Sequence, residues 1–385
     1  MIKILSLLTA SKEKLSYKGY LLTFLLLSLS GNPFFVAQDS VNKSLIIIIS
    51  LLFPLLYFKR ISHNITLFLN YILLYIIIYV LQATTVPDFE MSSTVFVVLK
   101  MWVGFLFFMI LDRKFIYYYV NLMSIIAAIS LLGYLYNTFV GLIPGIPLAQ
   151  IANSIVVYTQ LFNDWSGEFI HRNSGMFWEP GAFGGYLNLA IFFMILSKQF
   201  WTEKIKTVII IIALLTTYST TAYIVFFFLV IFFINGIDKY KGLRIPLLFF
   251  FLIIASYYYY QLDFLQEKLN WEADKGLSEE GRLNSYLRYA DLLLDNILIG
   301  ISYTSELNTG GNGFMWYLAS VGIIGTIYYY LMVFVNGVKS IGKKWILTFI
   351  VVIVLLLQGE CFLMYPLFLA VPFIRFPVIM KSNNF

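Results

Sequence analysis

Residues 172–185, RNSGMFWEPGAFGG, set an arginine, a carboxylate, a proline and four glycines before the apolar run YLNLAIFFMIL. Pro180 suits a first helical position, where its missing N–H has no partner to lose. The N–H groups after it, with the positive end of the helix dipole, would attract negative charge beside Arg172. Arg172 itself either clamps phosphate oxygens with its forked guanidinium or forms a structural ion pair with Glu168 or Glu179. Glu179 is read as a helix cap, as a proton acceptor for a sugar hydroxyl, or as both. His171 is a candidate base or an orienting neighbour. Gly181 and Gly185 have GxxxG spacing, which lets a neighbouring backbone come close. The stretch as a whole suits a lipid-linked phosphate sugar.

A second group follows a hundred residues later. Arg282, in SEEGRLNSY, stands where a helix would begin. A cation there opposes the dipole, so either a bound anion or pairing with Glu279 or Glu280 must account for it. Arg288 either joins that anion or pairs with Asp291 three residues on. Gly310-Gly311-Asn312-Gly313 precedes the run FMWYLASVGIIGTIYYY, with Asn312 a candidate contact to glycan or pyrophosphate. The turn is either a second helix N-terminus facing the same cleft or a plain flexible connection. Lys100 and Glu360 fall in apolar runs, where ionisable groups are costly and usually paired. No phosphate-binding or dinucleotide glycine loop, zinc spacing or nucleophile elbow is present, and the histidines are His63 and His171 alone. Neither a metal nor a cofactor is expected.

The elements that must position these residues are membrane helices. The 385-residue chain is 60% hydrophobic and 12% charged, with a mean hydropathy of +0.84, outside soluble usage. An all-α, polytopic integral-membrane domain over 1–385 is expected. Its spans are predicted near 19–37, 44–58, 65–86, 91–111, 115–139, 181–197, 207–218, 220–236, 245–261, 313–336, 345–360 and 362–379. The polar centre TTYSTTAY divides the block 207–236 in two, and eleven spans is the alternative to twelve. Alternating the spans from a cytoplasmic N-terminus puts most basic residues inside, including Lys59-Arg60, Arg113-Lys114, Lys198, Lys204, Lys206, Lys339, Lys343 and Lys344. Both termini are then cytoplasmic, and the two long loops, 140–180 and 262–312, are extracytoplasmic. The first loop is predicted to lie at the interface as an amphipathic segment. In the second, apolar residues at 283, 286, 287, 290, 293, 294, 297 and 298 have helical spacing and predict an amphipathic helix. The net charge of +6 follows this topology, and nucleic acid is not an expected partner.

Several motifs resemble those of Wzy-type O-antigen polymerases and the related ligases. RNSGMFWEPGAFGGYL is similar to the family's R-x-S-G-x-x-x-E-P-G segment, and LLTTYSTTAYI to its turn between paired spans. EEGRLNSY with DNILIGISY resembles the second-loop element, and GNGFMWYLASVGIIG the helix after it. The four occur in the family's order over about residues 165–340. The resemblance implies a GT-C-like fold in the bacterial inner membrane, with the active site facing the periplasm. It implies a metal-independent, inverting glycosyltransferase of lipopolysaccharide or similar polysaccharide biosynthesis. The substrate would be an undecaprenyl-pyrophosphate-linked oligosaccharide, extended by transfer to another lipid-linked repeat unit. By motif position, Arg172, Arg282 and Arg288 would neutralise the leaving pyrophosphate. A flippase and a chain-length-regulating co-polymerase would be its partners. The ligases carry a histidine in the second loop where this chain has Gly311-Asn312-Gly313, which favours polymerase over ligase. A transporter or flippase of lipid-linked oligosaccharide is the reading from another class.

Overall fold

The computed structural model describes residues 15–33, 35, 39–87, 89–140, 160–163, 169–234, 282–303 and 312–377. The expected span 245–261, most of the first loop and residues 262–281 and 304–311 of the second lie outside them. The described chain is helical apart from one two-stranded ribbon. In order, the long elements are α1 (Tyr17–Gly31), α2 (Asp39–Leu56), α3 (Ile65–Thr85), α4 (Met91–Leu111) and α5 (Phe115–Phe139). The ribbon β1 (Gln160–Asn163) and β2 (Phe169–Arg172) comes next. Then follow α6 (Pro180–Leu196), α7 (Lys204–Leu215), α8 (Thr220–Ile234), α9 (Arg282–Asp295) and α10 (Gly313–Leu357). Three continuous stretches, Ile65–Thr85, Met91–Phe139 and Gly313–Leu357, are long and apolar enough to cross a membrane. The middle one folds back at the short turn Asp112–Lys114, and the last bends at Gly322 and Gly342, both with positive φ.

The helix α3 displays how the bundle divides its residues. Leu69, Leu73, Ile76, Ile77, Val80 and Leu81 are exposed on one face. Tyr71, Tyr75, Tyr79 and Gln82, spaced four, four and three apart, are buried on the other. This is the reverse of a water-soluble helix: aliphatic groups face outward and hydrogen-bonding groups inward. The interior groups have work to do, because polar backbone at such depth must be paired within the protein. The Tyr75 hydroxyl meets that of Tyr317 at 2.7 Å and donates to the Gly325 carbonyl at 3.1 Å. Gln82 donates to the Ser320 carbonyl at 2.8 Å, just before the bend at Gly322.

The expected twelfth span, 362–379, is not a continuous helix. Its described part breaks into the turns Phe362–Met364, Pro366–Leu369 and Val371–Phe373. Proline recurs at 366, 372 and 377, and each removes a backbone donor and closes off helix on its N-terminal side. An apolar run with this punctuation survives only inside the bundle, and here Leu367, Phe368, Leu369 and Ala370 have no exposure at all. Side chains from other helices pair its backbone. Tyr71 donates to the Leu369 carbonyl at 3.3 Å, Tyr329 to Phe368 at 2.7 Å and Asn336 to Pro372 at 2.9 Å. Ser30 Oγ accepts from the Leu367 N–H at 3.0 Å. The segment threads the bundle from Glu360 at one end to Arg375 at the other, where it meets Asp112 and Asn64.

In the two long loops the outcome divides. Within the first loop, residues 160–163 and 169–172 form the β1–β2 ribbon, paired from Gln160↔Arg172 to Asn163↔Phe169, and most of the segment expected to lie at the interface falls outside the described residues. Cross-strand pairing satisfies backbone groups that a lone surface segment would leave to solvent. The predicted amphipathic helix of the second loop is α9, which packs on α10 with Tyr289 and Leu293, four residues apart, turned inward.

Candidate functional site

Two helix N-termini meet at one end of the bundle. The first is that of α6, started by Pro180; the second is that of α10, started by Gly313. Between them lies Glu360. A Cβ added to Gly181 would stand 2.4 Å from Glu360 Oε1 and 3.6 Å from Glu179 Oε1. One added to Gly313 would stand 2.1 Å from the Glu360 carbonyl oxygen. Gly313 is therefore required for the backbone approach, whereas at Gly181 it is the flexible end of the Glu360 side chain that comes close, and both carboxylates border the first turn of α6. A positive helix end attracts anions, and the Glu360 carboxylate is the anion the chain itself brings there. Glu179 takes the N-cap position in extended conformation, yet its side chain makes no capping hydrogen bond. Glu179 therefore occupies the cap position expected of it, its carboxylate acting there through the helix dipole and not through a hydrogen bond. The two carboxylates also bear on Cys361, whose partly buried thiol is pushed up to about 12 by burial and then by the charges of Glu360 and Glu179.

The GxxxG pair Gly181 and Gly185 is met by side chains, not by the neighbouring backbone that the spacing suggested, and Gly184 beside it is packed in the same way. Gly184 admits the Ala222 side chain of α8, and Gly185 admits the Phe362 ring just after Glu360. Trp178 packs against Phe362 and Tyr365 with ring centres 5.9 and 4.8 Å apart. Aromatic side chains thus wall the carboxylate pair on the side of the threading segment.

Arg172, the last residue of β2, has a definite set of contacts. Its Nη2 donates to the Tyr218 carbonyl at 2.8 Å and its Nε to that of Thr217 at 3.2 Å. The guanidinium thereby holds the tight α7–α8 turn, where Tyr218 adopts φ +47°. Those carbonyls lie just past the C-terminus of α7, close to its negative pole, where a cation is favoured. Asn173, which sequence reasoning passed over, completes the grip: its N–H donates to the Thr216 carbonyl at 2.9 Å, and its side-chain amide to Thr216 Oγ1 at 3.0 Å and Ser130 Oγ at 3.1 Å. Asn173 is fully buried. The available signal was its place between Arg172 and the Ser-Gly turn, because a short amide there can pair backbone groups of its own loop. The turn it secures leads into Thr221, which packs on Gly359 next to Glu360.

Asn312 is the N-cap of α10, accepting from the Met315 N–H at 2.9 Å. Its amide nitrogen donates to the Gln358 carbonyl at 3.1 Å and to Gln358 Oε1 at 2.8 Å, tying the two ends of α10 together. This residue builds the site's frame. Arg282 is the first residue of α9. The side chains of His171, Arg282 and Arg288 lie outside the described residues, so Arg172 and Glu179 are the two predicted catalytic groups whose surroundings are on view. Among the described residues no His, Cys, Asp and Glu cluster is arranged to hold a metal ion. Comparison of the chain with protein-family models, curated proteins and solved structures finds no match.

Proposed function

We propose that this chain is a membrane glycosyltransferase of the Wzy polymerase type, with a GT-C-like architecture, that extends a glycan carried on undecaprenyl pyrophosphate. The observation that carries the reading is the meeting of the α6 and α10 N-termini around Glu179 and Glu360, where both helix starts lie in stretches that resemble the polymerase motifs. In this reading a sugar hydroxyl of one lipid-linked repeat unit attacks the anomeric carbon of another. The new C–O bond forms as the bond to pyrophosphate breaks, with inversion. Undecaprenyl pyrophosphate departs, and the hydroxyl proton passes to the Glu179 carboxylate. Arg172 and Arg282, with Arg288 and the helix N–H groups, offset the charge growing on the leaving group. His171 and Gly181 border the donor, and Asn312 holds the second helix tip in place. Glu360 keeps the site's own negative charge beside Glu179 until a diphosphate enters.

The test is elongation of a lipid-linked repeat unit by the purified protein. Wild-type protein should convert it to a ladder of longer products, while Arg172→Ala, Arg282→Ala and Glu179→Gln inserted to equal levels should leave it unextended. Normal ladders from all three variants would overturn the assignment.

One observation favours a transporter instead. The buried, broken segment 362–377 gives the bundle discontinuous backbone at depth, as transporters often have around a substrate path. Translocation of the lipid-linked oligosaccharide in vesicles without any new glycosidic bond would establish that alternative.

A further inference from the structure

The opposite end of the bundle holds a hollow that the reaction above does not use. Its volume is about 770 Å³, within the range of small-molecule sites. Lys18, Lys59, Arg60, His63, Lys114 and Arg375 line it, drawn from four separate stretches of chain. Asp112 is the one carboxylate among its lining residues, and Arg375 Nη1 pairs with it at 3.2 Å. A formal excess of four positive charges therefore surrounds one concavity even with His63 neutral.

A topological bias alone asks only that basic residues lie on one side of a membrane. It does not ask them to face one another, which costs repulsion. Lys339 and Lys343 follow Gly337, which packs on Phe376 beside the hollow's Arg375, yet neither lines the hollow. Two of the lining cations are also fixed in place. Arg60 Nη1 donates to the Ile110 carbonyl at 2.6 Å, and Arg375 donates to Asp112 and to Asn64 Oδ1 at 2.5 Å. Asp112 holds its position at φ +50°, a strained backbone for a residue other than glycine. The Tyr118 hydroxyl takes the Ser16 N–H at 2.9 Å on another wall. Oriented guanidinium groups with lysines around them recognise phosphate oxygens, and a concave basic surface concentrates such anions.

We infer that this hollow binds a phosphate- or pyrophosphate-bearing group, either the headgroup of an anionic lipid or a soluble phosphate ester. The site is independent of the glycosyl-transfer reading. Native mass spectrometry of the full-length protein tests it, with phosphatidylglycerol, phosphatidylcholine and inorganic pyrophosphate as probes. Wild-type protein should retain phosphatidylglycerol or pyrophosphate over phosphatidylcholine. The exposed pair Lys59→Gln/Lys114→Gln should weaken that binding about thirtyfold, as loss of two near-surface charges predicts. Lys339→Gln/Lys343→Gln, with the same charge removed at the same end, should change it less than about twofold. Displacement of the lipid by pyrophosphate assigns the site to soluble phosphates, and retention against pyrophosphate assigns it to a headgroup. Equal losses in the two double variants, no loss in the first, or no preference for either anion would overturn the inference.

Discussion

The two ends of the bundle hold opposite charges in opposite ways. At the α6 and α10 N-termini, the carboxylates of Glu179 and Glu360 crowd against glycine backbone, and Cys361 and aromatic rings shut in the space. At the other end, Lys18, Lys59, Arg60, His63 and Lys114 stand exposed around an open hollow. The difference teaches where electrostatics does most. Glu179 and Glu360 are partly buried, so charges at that end are screened less than at the open one, and small changes of shape or charge are felt more strongly. Charges at the open end are screened by water and salt, and matter for capture of a ligand more than for stability.

That contrast can be broken by experiment. The largest expected effect is on Cys361. With its thiol pushed up to about 12 against the usual 9.0, the folded protein should be alkylated about a thousandfold more slowly at pH 8 than the unfolded chain. The rate should keep climbing about tenfold per pH unit to roughly pH 11, where an ordinary thiol has already levelled off. Glu179→Gln should speed it at fixed pH, since a nearby negative charge is removed; iodoacetamide kinetics followed by mass spectrometry measure both. A plateau near pH 9 would mean that the end is neither enclosed nor negative.

Next is Gly313→Ala, which drives a methyl group into the Glu360 backbone. Because backbone cannot swing aside, the change should cost about 3 kcal/mol and lower the melting temperature in detergent. Third is Tyr329→Phe in the connection between the two ends. It leaves the Phe368 carbonyl without its 2.7 Å hydroxyl partner and should cost about 1–2 kcal/mol. The smallest effect belongs to the open end: Asp112→Asn removes a partly exposed ion pair with Arg375 and should shift stability by less than about 1 kcal/mol. A larger loss there than for Gly313→Ala would reverse the comparison.

Much of the helix plan was legible. The predicted spans 91–111 and 115–139 coincide with α4 and α5, and 65–86 and 181–197 lie within a residue of α3 and α6. The polar centre TTYSTTAY does divide α7 from α8. These are local matters: apolar length, charged turns and a proline at a helix start are read one stretch at a time. The segment 362–377 was read as a span because hydropathy weighs its phenylalanines and leucines and ignores which neighbour pairs its carbonyls. Tyr71, Tyr329 and Asn336 supply those partners from far along the chain. Similarly, nothing around Gln358-Gly359-Glu360 indicates that its carboxylate rests on Gly181.

Sequence alone determined that this chain is helical and apolar enough for a membrane, and that its charged residues gather in a few polar stretches. Only the tertiary structure decided that Arg172 grips the α7–α8 turn, that Glu360 joins Glu179 at a helix tip, and that six basic side chains ring one hollow. The physical reason is range. Helix formation and hydrophobic length are set by neighbours within a few turns, whereas a charge finds its partner by packing between segments tens to hundreds of residues apart.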